Sequence, residues 1–147
     1  MNEGDNVREW LYLASEDFFS ANHLYTTTYK KPLHIICYHC HQTVEKALKA
    51  YLCFKDLDIP KTHNLSILCD LCAKLDQEFL SLKLNVAKFD PYAVNVKYPD
   101  RIDITEPTAK IALKTAASAY DFVVKKLNLS NLPVIKHNND EDSKFKP

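Results

Sequence analysis

Glycine is almost missing from this chain: the one glycine in 147 residues is Gly4. Loops that cradle phosphate with backbone amides, and the tight turns of dinucleotide-binding folds, need glycine where the main chain approaches the phosphate. A P-loop or Rossmann enzyme is therefore excluded. The same scarcity disfavours tight hairpins and favours long helices joined by turns marked with proline. Net charge is missing too, since 19 Lys plus Arg balance 19 Asp plus Glu. Salt-driven binding to nucleic acid or acidic membranes thus has no overall driving force, and DNA is not an expected partner, although a local basic patch and RNA stay open. There is no run of about 18 apolar residues, and the first residues, MNEGDNVREW, are polar and acidic. Neither a membrane span nor a secretory signal is read, and the chain is expected to be cytoplasmic. The cysteines number five and lack the spacing of a compact secreted framework, so reduced thiols are the default.

What the chain does have is helical periodicity in a globular composition, 46% hydrophobic and 26% charged. Val7, Trp10, Leu11, Ala14, Phe18, Ala21, Leu24 and Tyr25 recur at steps of three and four, predicting a long helix capped by Asp5 or Asn6. A second helix enters at Pro32, carries Leu33, Ile36, Cys37, Cys40, Val44, Ala47, Leu48 and Tyr51 on its apolar stripe, and stops before Pro60. Asn64 caps a third, with Leu65, Leu68, Cys69, Cys72, Leu75, Phe79 and Leu82. Between Ala87 and Pro107 the pattern breaks, which reads as a long ordered loop with room for a short helical turn. Thr105 caps a last helix whose inner side is Ile111, Ala112, Thr115, Ala119, Phe122 and Val123. The expectation is an all-α, antiparallel up-and-down bundle of four to five helices over residues 5–128, followed by a flexible tail over 129–147.

Chemistry concentrates between Pro32 and Leu65, where four of six histidines and three of five cysteines lie. Cys37-x-x-Cys40 and Cys69-x-x-Cys72 have zinc-like spacing, but each pair sits on an apolar helical stripe without nearby glycine, so the thiols read as small buried hydrophobes. His39 and His41 are two residues apart on a helix and point about 200° apart, so they cannot share one ion. No metal and no cofactor is expected. His41 is expected to lean towards solvent or a neighbouring subunit. His39, Gln42, Lys46, Lys49 and Cys53 step along one side of the second helix as an outward polar ridge with Glu45 beside it. Glu45 would need an activating partner to act as a general base, and Lys61 and His63 in the following turn are equally suited to solvating the loop or to binding.

HQTVEKALKAYLCFKDLDIPKTHNL resembles the signature of HEPN (higher eukaryotes and prokaryotes nucleotide-binding) domains. His39, Gln42, Glu45, Lys46, Ala47 and Lys49 match a His-x-x-Gln-x-x-Glu-Lys-Ala-x-Lys helix, and Pro60, Lys61, Thr62, His63 and Leu65 match the turn after it. Trp10, Leu11, Ala14 and Asp17 are similar to the family's first helix, and Lys97-Tyr98-Pro99-Asp100 to its Arg-Tyr-Pro-Asp loop. The resemblance implies a helical bundle, usually a homodimer, often paired in a toxin–antitoxin-like way with a small nucleotidyltransferase. It also implies a nucleotide- or partner-binding face made of His39, Gln42, Glu45, Lys46, Lys49, Lys61, His63, Lys97 and Tyr98. Some members are ribonucleases with an Arg-x4-6-His motif, and neither Arg8 nor Arg101 is followed by a histidine at that spacing. The expected function is a binding module, non-catalytic by itself, that contacts a nucleotide or a partner nucleotidyltransferase. A metal-independent endoribonuclease and a purely structural dimerisation domain are the alternatives.

Overall fold

The computed structural model describes residues 3–95 and 103–136, and every regular element among them is helical. The order is α1 (Glu3–Thr27), α2 (Leu33–Phe54), α3 (Leu65–Ala73), α4 (Phe79–Val86), a 3-10 turn (Ala87–Phe89) leading into α5 (Asp90–Asn95), and α6 (Glu106–Leu127). The architecture is the expected all-α bundle, with α1, α2 and α6 as its long members. Among the described residues no helix is long and apolar enough to cross a membrane.

α1 buries Val7, Leu11, Ala14, Phe18 and Ala21, whose alternating steps of four and three place them on one stripe. It opens at Glu3, so Asp5 and Asn6 lie inside the helix and do not cap it. α6 buries Ala109, Ala112, Ala116 and Ala119 beside Leu113, Tyr120 and Val123, small residues alternating with large ones. Its N-terminus is as expected, with Thr105 accepting from the Thr108 amide, but Ile111 faces outward, half exposed. α2 packs against α1, α3, α5 and α6. That central position explains why every residue from Thr43 to Leu52 except Lys46 is buried. Cys37, Cys40, Cys69 and Cys72 are all fully buried, as the core reading required, and burial pushes the Cys37, Cys69 and Cys72 thiols up to about 12.

The third helix is interrupted where a continuous one was expected. α3 ends at Ala73, and the Asp76 carboxylate accepts from the Glu78 amide to restart the chain as α4. Lys126 of α6 pins this break by pairing with Asp76 at 2.8 Å, and Leu75, expected inside, is half exposed. α4 is then tied inward by Phe79, whose ring lies 4.5 Å from Tyr51 of α2 and 5.1 Å from Phe122 of α6. Within the expected loop of 87–107, residues 87–95 form the 3-10 turn and α5, the short helical turn foreseen there, and 96–102 lie outside the described residues.

Without glycine, the left-handed positions after helices fall to other residues: Asp56 follows α2 at φ 56° and Asn128 closes α6 at φ 50°, both types that tolerate this region. Lys30, at φ 53° between α1 and α2, has no such side-chain help. The first residues of the expected tail lie against the bundle. Leu129, Leu132 and Ile135 pack on the core, Arg8 donates to the Ser130 and Asn131 carbonyls at 2.8 and 3.2 Å, and the Tyr120 hydroxyl donates to the Pro133 carbonyl. The rest of that tail, 137–147, lies outside the described residues.

Candidate functional site

The polar positions of α2 do not form an outward ridge. Four of them, His39, Glu45, Lys46 and Lys49, sit in two clusters, each built around one carboxylate that takes a lysine and a histidine. In the first, Asp17 of α1 receives His39 Nδ1 at 2.8 Å on one oxygen and Lys46 Nζ at 2.5 Å on the other. His39 and Lys46 are seven residues apart, two helical turns, so one acid on the facing helix reaches both. Trp10 and Asp17 flank the buried Ala14 at steps of four and three on α1, which is what brings the Asp17 carboxylate to the α1–α2 seam.

In the second cluster, Glu45 receives His63 Nδ1 at 2.9 Å and Lys49 Nζ at 3.3 Å. The Glu45 and Lys49 side chains are only 5% and 8% exposed, whereas His63 is 72% exposed. Lys49 also lies 5.8 Å from the centre of the Trp10 ring, so the buried ammonium has both an anion and an aromatic neighbour. A carboxylate only accepts hydrogen bonds, so His63 Nδ1 is the donor and Nε2 is left as the other polar position on an exposed ring.

His63 belongs to the turn between α2 and α3, and the turn is held from below. Thr62 Oγ1 accepts from the Asn64 amide, Asn64 Oδ1 accepts from the Ile67 amide as the cap of α3, and Asp90 at the head of α5 accepts from the Leu65 amide at 2.6 Å and from the Ser66 hydroxyl at 3.3 Å. Next to Asp90 lies His41, fully buried, its Nε2 3.7 Å from Asp90 Oδ1 and, among the described residues, neither ring nitrogen in a well-formed hydrogen bond. Burial pushes its imidazole pKa below the ordinary 6.5, against the opposing pull of Glu45 and Asp90. The expectation that His41 leans to solvent or a neighbour is thus overturned: α5 and the turn close over that side of α2.

Of the residues the sequence singled out, Glu45 and Lys49 are buried, His39 and Lys46 are partly covered and engaged by Asp17, Gln42 is partly exposed, and Lys61 and His63 are exposed. Glu45 brings Lys49 and His63 together, while His39 and Lys46 form a separate group. Lys97 and Tyr98 lie outside the described residues. Asp17 and Trp10 belong to these clusters, and Asp90 holds the turn beside them, although none of the three was among the expected site residues; Trp10 entered through the spacing of the first helix, and Trp10 and Asp17 through its resemblance to the family's first helix. Among the described residues no group of three or more His, Cys, Asp or Glu side chains could hold a metal ion.

Comparison with known proteins gives one family. The family model of the HEPN domain matches residues 7–127. The crystal structure of ST0689, an archaeal HEPN homologue, superimposes with a TM-score of 0.66 at 21% identity, over 83% of this chain and 98% of that one, a likeness of fold. The search of curated proteins found no match.

Proposed function

Since the chain belongs to the HEPN-domain family, we propose that it is a binding module, non-catalytic by itself, whose 61–64 turn contacts the phosphate of a nucleotide. One observation supports this reading above the others: His63 is largely exposed, yet its Nδ1 is held by the nearly buried Glu45. An imidazole fixed at one nitrogen offers the other to a ligand in a set orientation, so little ordering is needed on binding. Lys61, exposed two residues earlier, adds an ammonium that meets phosphate as a point charge. Neither contact requires a glycine loop. Ribonuclease chemistry is not part of the proposal, because Arg8, one of only two arginines, is used to hold the carbonyls of Ser130 and Asn131 and has no histidine at the family's spacing.

A protein partner is the second reading. Phe19 and Val134, both largely exposed, line a groove of about 720 Å³ between α1 and residues 134–136. A second copy of the chain or a small nucleotidyltransferase would cover such a surface.

The test is a melting curve with ATP or GTP at millimolar concentration. Nucleotide should raise the midpoint, and His63→Ala and Lys61→Ala should each reduce the rise while leaving the unliganded midpoint nearly unchanged. No rise with either nucleotide would end the nucleotide reading and leave the partner reading, which light scattering with and without a co-expressed nucleotidyltransferase would then decide.

A further inference from the structure

His41 is an unusual core residue. A neutral imidazole carries one N–H and one lone pair, and here both are buried without a well-formed hydrogen bond among the described residues, while the His63 backbone and the Asp90 carboxylate both lie close enough to act on the ring. Leaving such groups unsatisfied is unfavourable, and in a native fold it calls for a physical reason. Its surroundings supply one. The Asp90 Oδ1 acceptor is 3.7 Å from Nε2, and a shift of about 0.5–1 Å would make a charge-assisted bond. That same Asp90 oxygen now accepts from the Leu65 amide, and its companion accepts from the Ser66 hydroxyl, fixing the start of α3 directly after the turn.

The charges around the ring decide which group responds. Glu45, one turn along α2, is already engaged by Lys49 and His63. Asp90, from α5, is engaged among the described residues by the neutral donors of Leu65 and Ser66 and by no lysine or arginine, so its carboxylate is the one of the two without a cation. From the turn, His63 directs its ring to Glu45 and approaches His41 through its backbone. Cys69 of α3 stays a neutral thiol, the buried face of α6 is uncharged, and Asp17 of α1 serves His39, which points about 200° from His41.

We propose that His41 and Asp90 form a protonation-driven latch beneath the 61–64 turn: when His41 takes a proton, its imidazolium draws the Asp90 carboxylate away from the start of α3, and the turn carrying Lys61 and His63 loosens. At neutral pH the latch is closed, with Asp90 on Leu65 and Ser66. On acidification the buried cation needs its counter-ion more than α3 needs its cap. Any effect on ligand binding rests on the function proposed above, whereas the latch itself does not, and its test reads the protein alone.

The experiment is an NMR titration from about pH 8 to 5, the range in which histidines change charge. The His41 ring signals and the Leu65 and Ser66 amides are followed together. They should move with one shared midpoint below 6.5, the Leu65 amide proton shifting upfield as its bond to Asp90 lengthens. His63→Gln, an exposed change, removes the turn's own imidazole, and the Leu65 shift should persist in it. The proposal is overturned if His41 does not titrate over this range, if it titrates while Leu65 stays fixed, or if the Leu65 shift disappears in His63→Gln. A fall in nucleotide affinity with His41 protonation would extend the latch to ligand control; unchanged affinity with an intact Leu65 shift would count against the phosphate reading and not against the latch.

Discussion

Asp17 on α1 and Lys46 on α2 are joined at 2.5 Å across the helix seam, and the other Asp17 oxygen holds His39 at 2.8 Å. One carboxylate therefore fixes two positions of the second helix that look like free surface in the sequence, and it is half of a pattern repeated by Glu45 with Lys49 and His63.

Asp17→Ala should lower stability by about 1–3 kcal/mol, because it leaves two partly covered donors without an acceptor. Lys46→Ala should cost about the same order, although exposed lysines usually tolerate this change within about 0.5 kcal/mol. Urea denaturation of the two single variants and the double variant checks this. Additive losses would show that the pair is not coupled.

Lys49→Ala should be more damaging than His63→Ala. Removing Lys49 strips the nearly buried Glu45 of its cation, a change worth about 3–5 kcal/mol in buried pairs. His63 is mostly in water, so its loss should shift stability by about 1 kcal/mol or less. Lys49→Met combined with Glu45→Gln should recover much of the loss, since no unpaired charge then remains. Comparing denaturation midpoints of the four proteins tests the order.

Cys40→Asp should unfold the bundle or come close to it, whereas Cys40→Ala should cost about 1 kcal/mol, because the site is a fully buried contact of the core. In native protein, Cys37, Cys40, Cys69 and Cys72 should react with a thiol reagent only at the rate of opening, and partly exposed Cys53 should react ahead of them. Early modification of Cys40 by mass spectrometry would contradict the packing.

Stability should form a plateau with shoulders on both sides. The folded pKa of His41 lies below its unfolded value, so the unfolded chain binds more protons and stability falls as pH drops through 6.5. The Cys37, Cys69 and Cys72 thiols are pushed from 9.0 up to about 12, so above pH 9 the unfolded chain releases protons that the folded one keeps, and stability falls again. Thermal midpoints across the range test both limbs. In His41→Phe the acid shoulder should shrink while the alkaline limb stays.

The sequence carried a good part of this. Steps of three and four in Val7, Leu11, Ala14, Phe18 and Ala21 located α1 and its buried stripe, Asn64 and Thr105 marked their helix starts, and the burial of the four paired cysteines followed from helical phase alone. Less legible was whatever depended on which element covers which face. Helical phase separated His39 from His41, but it could not say that α5 and the turn would close over His41, or that Asp17 would face His39 and Lys46. The split between α3 and α4 was hidden too, because Asp76 caps only once Lys126 and Glu78 are brought around it.

For this chain, scarce glycine and helical periodicity were sufficient to determine an all-α bundle, since both act through local geometry that each residue carries with it. Which polar side chains of α2 are ligands for water and which for one another was decided only by the tertiary structure. Burial and ion pairing are properties of pairs of elements, and α2 sits in the middle of four of them.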